Sequence, residues 1–304
     1  PVFYFPKFFH PDPTVKRQSG FLVPTFSDSA NLGASLTVPY YKVLSESHDL
    51  TFKPRIFHNK ALLQTEYRKA KKNSYHIADF SYFNHQTNTR SHLFINSIYK
   101  LKSDYFNDSS LEFNLQSTNN NTYLNTYDIS SPIINSKSVL NSYLDYKAYK
   151  ENTSLNIYTK VIEDLSKADE RYEYIYPYVN FSKSFDNLEY TLTGYNKKFN
   201  TNQDITSLTN NLLYSSDDKY NLFGLRRNWK ALIKNVNTKR DRTEEKEGEN
   251  YKLYSGLFYD LNLPLIKKGK KFDKVIDPKI SLRYSPNKNS NISTDERRMD
   301  LENI

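Results

Sequence analysis

Apolar and polar side chains alternate with a period of two along most of this chain, from Ser19 to about Pro286. In DLTFKPRIF, Leu50, Phe52 and Ile56 fall on one face, and Thr51, Lys53 and Arg55 on the other. SLEFNLQS separates Leu111, Phe113 and Leu115 from Glu112, Asn114 and Gln116. TSLNIYTKVIE separates Leu155, Ile157 and Val161 from Asn156, Tyr158 and Lys160. DPKISLRYSP sets Ile280, Leu282 and Tyr284 against Lys279, Ser281 and Arg283. Such alternation marks strands with one apolar and one polar face. About fifteen segments of roughly 8–12 residues follow one another, joined by Asn, Asp, Ser and Lys turns. No long stretch carries a helical period. The pattern predicts an all-β, antiparallel, up-and-down architecture.

The connections add a second signal. With Ser19–Phe26 as the first strand, the longest are Ser117–Lys137, after the seventh, and Asn235–Asn250, after the thirteenth. Both join an odd strand to an even one. The even-to-odd links Ser45–Asp49, Lys71–Ser74, Lys150–Thr153 and Ser184–Asn187 are tight. Outer-membrane barrels have this asymmetry, with long loops outside and short turns in the periplasm. A soluble β-sandwich matches it only by chance.

Composition narrows the classes. The 304 residues are 37% hydrophobic with mean hydropathy −0.78, yet they include 26 Tyr and 19 Phe and only 7 Gly. Aromatic enrichment favours strands and interfaces over disorder. No run approaches the ~18 apolar residues of a membrane-spanning helix. Barrel strands escape that test, because their two faces average out. The net charge of +9 fits either an anionic partner or a coding bias that spreads lysines over turns. With no cysteine, this stretch has no disulfide, thiolate metal site or cysteine nucleophile, although that does not fix the compartment. The histidines (His10, His48, His58, His76, His85, His92) lack metal-ligand spacing, and there is no G-x-S-x-G elbow or Gly-rich phosphate loop. Neither an enzyme nor a cofactor is expected. KRDRTEEKEGE, Lys239–Glu249, reads as an exposed loop of mixed sign.

The first two strand-like runs each hold a proline, Pro24 and Pro39. Proline has no backbone N–H, so it belongs at a sheet edge, a bulge or a weakened seam. Two of them on neighbouring strands suggest an edge that opens; ordinary edge prolines are the alternative. Pro54, on the third strand, has a structural reading only. The chain starts inside an apolar run, Pro1–Phe5, and reads as a piece of a longer protein.

PVFYFP, KRQSGFLVP, TVPYYKV, HDLTFKPRIF and LLQTEYR together resemble the lipopolysaccharide-assembly family LptD, also called OstA or Imp. TYLNTYDI and DPKISLRYSPN…DERRMDLENI are similar to later stretches of that family. Between Leu140 and Asn250 only the strand texture supports the likeness, and Lys42 stands where the family has Trp.

The resemblance implies a two-part protein. A periplasmic jelly roll takes lipopolysaccharide from an LptA-type bridge protein and feeds an outer-membrane β-barrel, plugged by an LptE-type lipoprotein. Residues 1–16 would hold the last jelly-roll strand (Pro1–Phe9) and a hinge (His10–Lys16). Residues 17–304 would form the N-terminal part of the transmembrane barrel, about 14–16 strands, open or incompletely closed. The chain would sit in the cell outer membrane and transport without chemistry.

The resemblance also suggests site residues. Pro24 and Pro39 match the family prolines that weaken the lateral gate between first and last strands, through which acyl chains leave while sugars use the lumen. Each missing donor forgoes about 1 kcal/mol. Phe3, Phe5, Phe8 and Phe9 would line an apolar rail, or else simply pack a strand. Lys16 and Arg17 would meet lipid A phosphates at the periplasmic rim, or else be solvated turn charges. Lys53 and Arg55, with Thr51, Gln64, Glu66 and Arg68, would hydrate the sugar path, or else serve as any polar barrel interior. Tyr40, Tyr41, Phe57, Tyr82, Tyr99 and Tyr149, near strand ends, fit membrane girdles.

Two rival classes stay open. One is another outer-membrane barrel, a porin or nutrient transporter. The other is a soluble Tyr-rich β protein binding an anionic polymer, whose apolar faces would be buried against a second sheet.

Overall fold

The computed structural model describes residues 17–29, 32–85, 88–242, 248–269 and 272–286. Among them are twenty strands and one short helix. None of the described helical structure is long and apolar enough to cross a membrane, which says nothing of strands. The contacts divide these residues into two units. One holds the residues up to Tyr99 with Asn114–Leu140; the other holds Lys100–Phe113 with everything from Asn141 onward.

The first unit opens with β1 (Gly20–Phe21), β2 (Thr25–Ser29), β3 (Gly33–Thr37), β4 (Tyr40–Ser45) and β5 (His48–Phe57). It continues through β6 (Ala61–Lys71), β7 (Ser74–His85) and β8 (Asn88–Leu101), with β9 (Asp108–Thr118), α1 (Tyr123–Thr126) and β10 (Val139–Lys150) following in the chain. From β5 to β8 each strand pairs antiparallel with the next. The ladder sorts the side chains as the alternation predicts. Phe52, Thr65, Phe80 and Leu93 form one row across four strands, and Leu63 faces Tyr82 beside them. On this face Phe80 is 47% exposed, Leu63 41% and Leu93 39%, so a band of large apolar side chains meets the surroundings. The other face carries Asp49, Thr51, Gln64, Glu66, Asp79, Ser81 and His92, all buried. This is a sheet inverted relative to a soluble core: grease outside and polar groups inside.

The second unit adds β11 (Thr153–Asp164), β12 (Tyr172–Phe185), β13 (Leu188–Lys198), β14 (Asp204–Ser215) and β15 (Lys219–Tyr220). β16 (Arg226–Asp241), β17 (Gly248–Asn262), β18 (Leu265–Lys267), β19 (Lys274–Ile276) and β20 (Lys279–Tyr284) complete it. Pro177 sits where β12 shifts register against both neighbours, a position that tolerates a missing donor. The apolar face is again the open one. Leu212 faces Ile233, Leu257 faces Tyr284 and Tyr259 faces Leu282, with Ile233, Leu257 and Leu282 all more than half exposed.

The tight turns fall where the sequence places them, at Glu46–Ser47, Lys72–Asn73, Glu151–Asn152 and Asp186–Asn187. The first long connection, between β9 and β10, is also as expected. The second is not. Asn235–Asp241 continues β16, pairing with β14 on one side and partly with β17 on the other. A ladder needs only backbone partners, so NVNTKRD stays in strand form with polar side chains on both faces. The loop-length asymmetry is softened too, since the links from β8 to β9, β14 to β16 and β17 to β20 run in the same sense as the tight turns and are longer.

Candidate functional site

β1 and β2 on one arm, and β3 and β4 on the other, form one long hairpin, broken on both sides at the same level. β1 pairs with β4 in the register Phe21↔Tyr40, and β2 pairs with β3 in the register Thr25↔Thr37. Three residues, Leu22, Val23 and Pro24, therefore face two, Val38 and Pro39. That is a bulge, and both prolines lie in it. The pairing of β3 and β4 with β5 keeps a single register across the break and places Val38 opposite Pro54. Pro24, Val38 and Pro54 thus lie in one row across three strands, with Pro39 beside it.

Hydrogen bonding follows from that row. Leu22 donates its N–H to the Pro39 carbonyl at 2.8 Å, and Val38 donates to the Pro54 carbonyl at 3.3 Å. In a complete antiparallel pair each bond is returned, but here the partner has no N–H to return. Val38 directs its groups toward β5, so alternation turns Pro24 to the opposite side of its strand, away from β3. The two hairpin ladders lose donors internally at Pro39 and Pro54, and the outer side of the first strand loses one at Pro24. Each missing bond is worth about 0.5–1.5 kcal/mol net.

Beyond the break, Arg55 holds the hairpin. It follows Pro54 in β5 and faces Thr37. Its guanidinium donates from Nε to Ser35 Oγ at 3.1 Å, from Nη2 to Ser27 Oγ at 2.9 Å and from Nη1 to the Tyr127 carbonyl at 2.6 Å. One side chain therefore joins β2, β3 and the β9–β10 connection. Lys53, on the same face, donates to Glu66 Oε2 at 2.8 Å. Arg68 bridges Asp49 at 2.9 Å and Glu66 at 3.4 Å, and Arg17 also pairs with Asp49. The hydrogen bond to Asp49 holds the Arg17 guanidinium above its ordinary range.

The connection from Asn119 to Ser138 folds onto the polar face. Tyr123, Leu124, Tyr127, Ile129 and Ile133 are buried, as are Phe57, Leu62, Phe83 and Phe94 of the strands. Tyr127 lies 4.6 Å from Phe83 and 6.4 Å from Phe57, ring to ring. Each fully buried side chain of this kind contributes about 1.5–3 kcal/mol. Polar anchors fix the register: Gln64 donates to the Ser130 carbonyl and Gln116 to the Ile133 carbonyl, both at 3.0 Å. A deeper chain starts at Tyr123. Ser81 Oγ lies 2.6 Å from the Tyr123 hydroxyl and 2.6 Å from His92 Nδ1, while His92 Nε2 lies 3.3 Å from Asp79. A carboxylate only accepts, so the protons run from Tyr123 to Ser81, from Ser81 to His92 and from His92 to Asp79. Gln64 donates to both Asp79 oxygens, at 3.1 and 2.9 Å.

In composition this is a hydrolase triad, but Ser81 is 0% exposed and capped by Tyr123. In this arrangement Ser81 anchors the connection. Burial pushes the Tyr123 phenol up to about 12 and raises that of Tyr127, while the hydrogen bond from Lys137 holds the Asp128 carboxyl below its usual range. Among the described residues no three His, Asp or Glu side chains converge as a metal site.

The residues singled out from sequence thus have varied places. Pro24 and Pro39 meet at one break. Arg17, Lys53 and Arg55 share the polar face and are all engaged by protein partners. Phe3, Phe5, Phe8, Phe9 and Lys16 lie outside the described residues. Sequence reasoning missed the convergence of Pro54 with the other prolines, the staple from Arg55, and the anchoring set of Tyr123, Ser81, His92 and Asp79. TYLNTYDI carried a signal for the last of these, since apolar residues recur inside what otherwise reads as a loop.

No family model matches the chain. Part of it is similar to LPS-assembly protein LptD of Pseudomonas aeruginosa (strain UCBPP-PA14), 36% identical over 91 residues, or 30% of this chain and 10% of that protein. It is 42% identical over 69 residues to LptD of Shewanella oneidensis, covering 22% of this chain and 9% of the relative. A third relative, LptD of Pseudomonas putida (strain GB-1), is 44% identical over 63 residues, 21% of this chain and 7% of that protein. The match spans about a tenth of the length of these curated relatives. A solved bacterial polysaccharide outer membrane secretin overlaps 83% of each chain at 9% identity and a TM-score of 0.31, too loose to carry a reading.

Proposed function

We propose that this chain is part of the wall of an outer-membrane conduit that delivers lipopolysaccharide to the cell surface. The seam at Pro24, Pro39 and Pro54 is the flank through which acyl chains leave. The observation that carries this reading is the donor-poor row across β2, β3 and β5, in a chain partly similar to LptD. The exposed apolar face supports contact with lipid, and the polar face suits a wet path for sugars. The same exposure counts against a soluble sheet, whose apolar faces would be covered. Lipopolysaccharide would move without chemistry, and an LptE-type plug and an LptA-type bridge protein are the partners this reading expects.

The gate has a direct test in the full-length protein in cells. Val23→Cys is disulfide-linked to a cysteine on the strand that closes the barrel, and surface lipopolysaccharide is measured before and after reduction. Delivery should stop when the strands are locked and resume on reduction. Undiminished delivery through a locked seam would overturn the reading.

A further inference from the structure

The basic residues on the polar face of the first unit differ in one respect. Arg17, Lys53 and Arg68 each face a carboxylate of Asp49 or Glu66. Arg55 holds three neutral oxygens and, among the described residues, makes no ion pair. Those oxygens belong to the two hairpin strands beyond the proline break and to the infolded connection. Arg90 adds a second positive charge nearby, its guanidinium 5.9 Å from the centre of the Tyr127 ring. The titratable groups around this point are Asp128, which pairs with Lys137 and also feels the Arg55 charge without contacting it, and the raised phenols of Tyr123 and Tyr127.

We infer that Arg55 is an exchangeable latch, released when a phosphate-bearing glycolipid in the conduit takes its guanidinium in place of Ser27, Ser35 and the Tyr127 carbonyl. The inference rests on the function proposed above and adds its trigger. A phosphate adds a formal negative charge opposite the guanidinium and can take two of its N–H donors at once in a planar fork, which three separate neutral oxygens do not offer. The exchange is therefore favourable at Arg55, whereas at Arg17, Lys53 and Arg68 a phosphate would first have to displace a carboxylate. The position is also the effective one. Arg55 grips the hairpin just past the row where its ladder is weakest, so losing the grip frees β2 and β3 to swing about the proline break. It removes the tie between the hairpin and the infolded connection at the Tyr127 carbonyl in the same step. Arrival of the phosphate and opening of the flank thus become one event.

These 304 residues hold no cysteine, so within them two introduced labels are unambiguous, and the full-length protein without the two substitutions serves as the labelling control. Spin labels at Phe26→Cys and Thr126→Cys, both exposed sites, report the distance between the hairpin and the connection in the full-length protein in detergent. The probes are an acylated, bis-phosphorylated glucosamine disaccharide, its dephosphorylated form, and inorganic pyrophosphate. The phosphorylated glycolipid should reduce the docked population several-fold, and the dephosphorylated form should leave it unchanged. Release by pyrophosphate would show that the phosphate alone suffices and would support the latch. Arg55→Gln should be released without any probe, and Arg55→Lys should dock partially and still respond to phosphate. If the phosphorylated glycolipid binds, as followed by calorimetry, and the distance holds, the latch is overturned and the proposed function stands. Arg55→Gln that stays docked also overturns the latch. If the protein binds no glycolipid, the proposed function fails and the latch falls with it.

Discussion

Val38 gives its backbone N–H to the carbonyl of Pro54 at 3.3 Å, and Pro54 has no N–H to give in return. The same one-way bond joins Leu22 to Pro39 one residue away. Pro24 closes the row on the far side. A sheet normally spreads its weak points, and this one gathers three at one level across neighbouring strands.

Restoring a donor should therefore stiffen the hairpin. Pro54→Val and Pro39→Val each allow a bond worth about 0.5–1.5 kcal/mol. Amide exchange at Leu22 and Val38 should slow by up to about tenfold in either variant. Unchanged exchange rates would mean that the prolines do not limit the ladder.

One hydroxyl anchors the connection at its deepest point. Tyr123→Phe keeps the ring in place but leaves Ser81 without its 2.6 Å neighbour. Docking should weaken by about 1–3 kcal/mol. Limited proteolysis between Asn119 and Ser138 reads this directly: cleavage should be faster in the variant than in the wild type.

The same hydroxyl makes docking sensitive to alkali. The Tyr123 phenol is raised from 10.0 to about 12, so the folded form favours the neutral phenol. Its contribution is complete below pH 10 and is lost as pH rises toward about 12. Tyrosinate absorbance at 295 nm should show a late-titrating phenol that disappears in Tyr123→Phe. Proteolytic opening of the connection should rise over the same range.

Packing under the connection distinguishes the two faces of the sheet. Phe83 is fully buried, 4.6 Å from the Tyr127 ring. Phe83→Ala should cost about 3–5 kcal/mol. Phe80 lies on the other face and is 47% exposed, so Phe80→Ala should cost much less. Denaturant unfolding from lipid vesicles compares the two, and equal losses would contradict the assignment of faces.

Much of this was legible along the chain. Leu50, Phe52 and Ile56 declare their face by alternation, and the turns after Ser45, Lys71, Lys150 and Phe185 declare themselves by composition. Register is what the sequence hides. Pro24, Pro39 and Pro54 are evenly spaced, but only the pairing of β2, β3 and β5 brings them within one residue of a single row. Asn235–Asp241 misleads in the other direction, because a stretch that is polar except for Val236 stays in strand form when neighbours on both sides offer a ladder. The infolded connection escapes because Tyr123 and Tyr127 find their partners on β5, β7 and β8, far away in the chain. No local period records such a contact.

The central claim is that the apolar face of this sheet meets lipid and the charged face meets water. Fluorescent probes on single cysteines at Leu63, Phe80 and Leu93, and at Lys53 and Arg68 opposite them, test it in vesicles with brominated acyl chains. The account predicts strong quenching by the brominated lipid at the first three positions, and quenching by aqueous iodide at the last two. Iodide quenching at Leu63, Phe80 and Leu93, with no effect of the brominated chains, would contradict it.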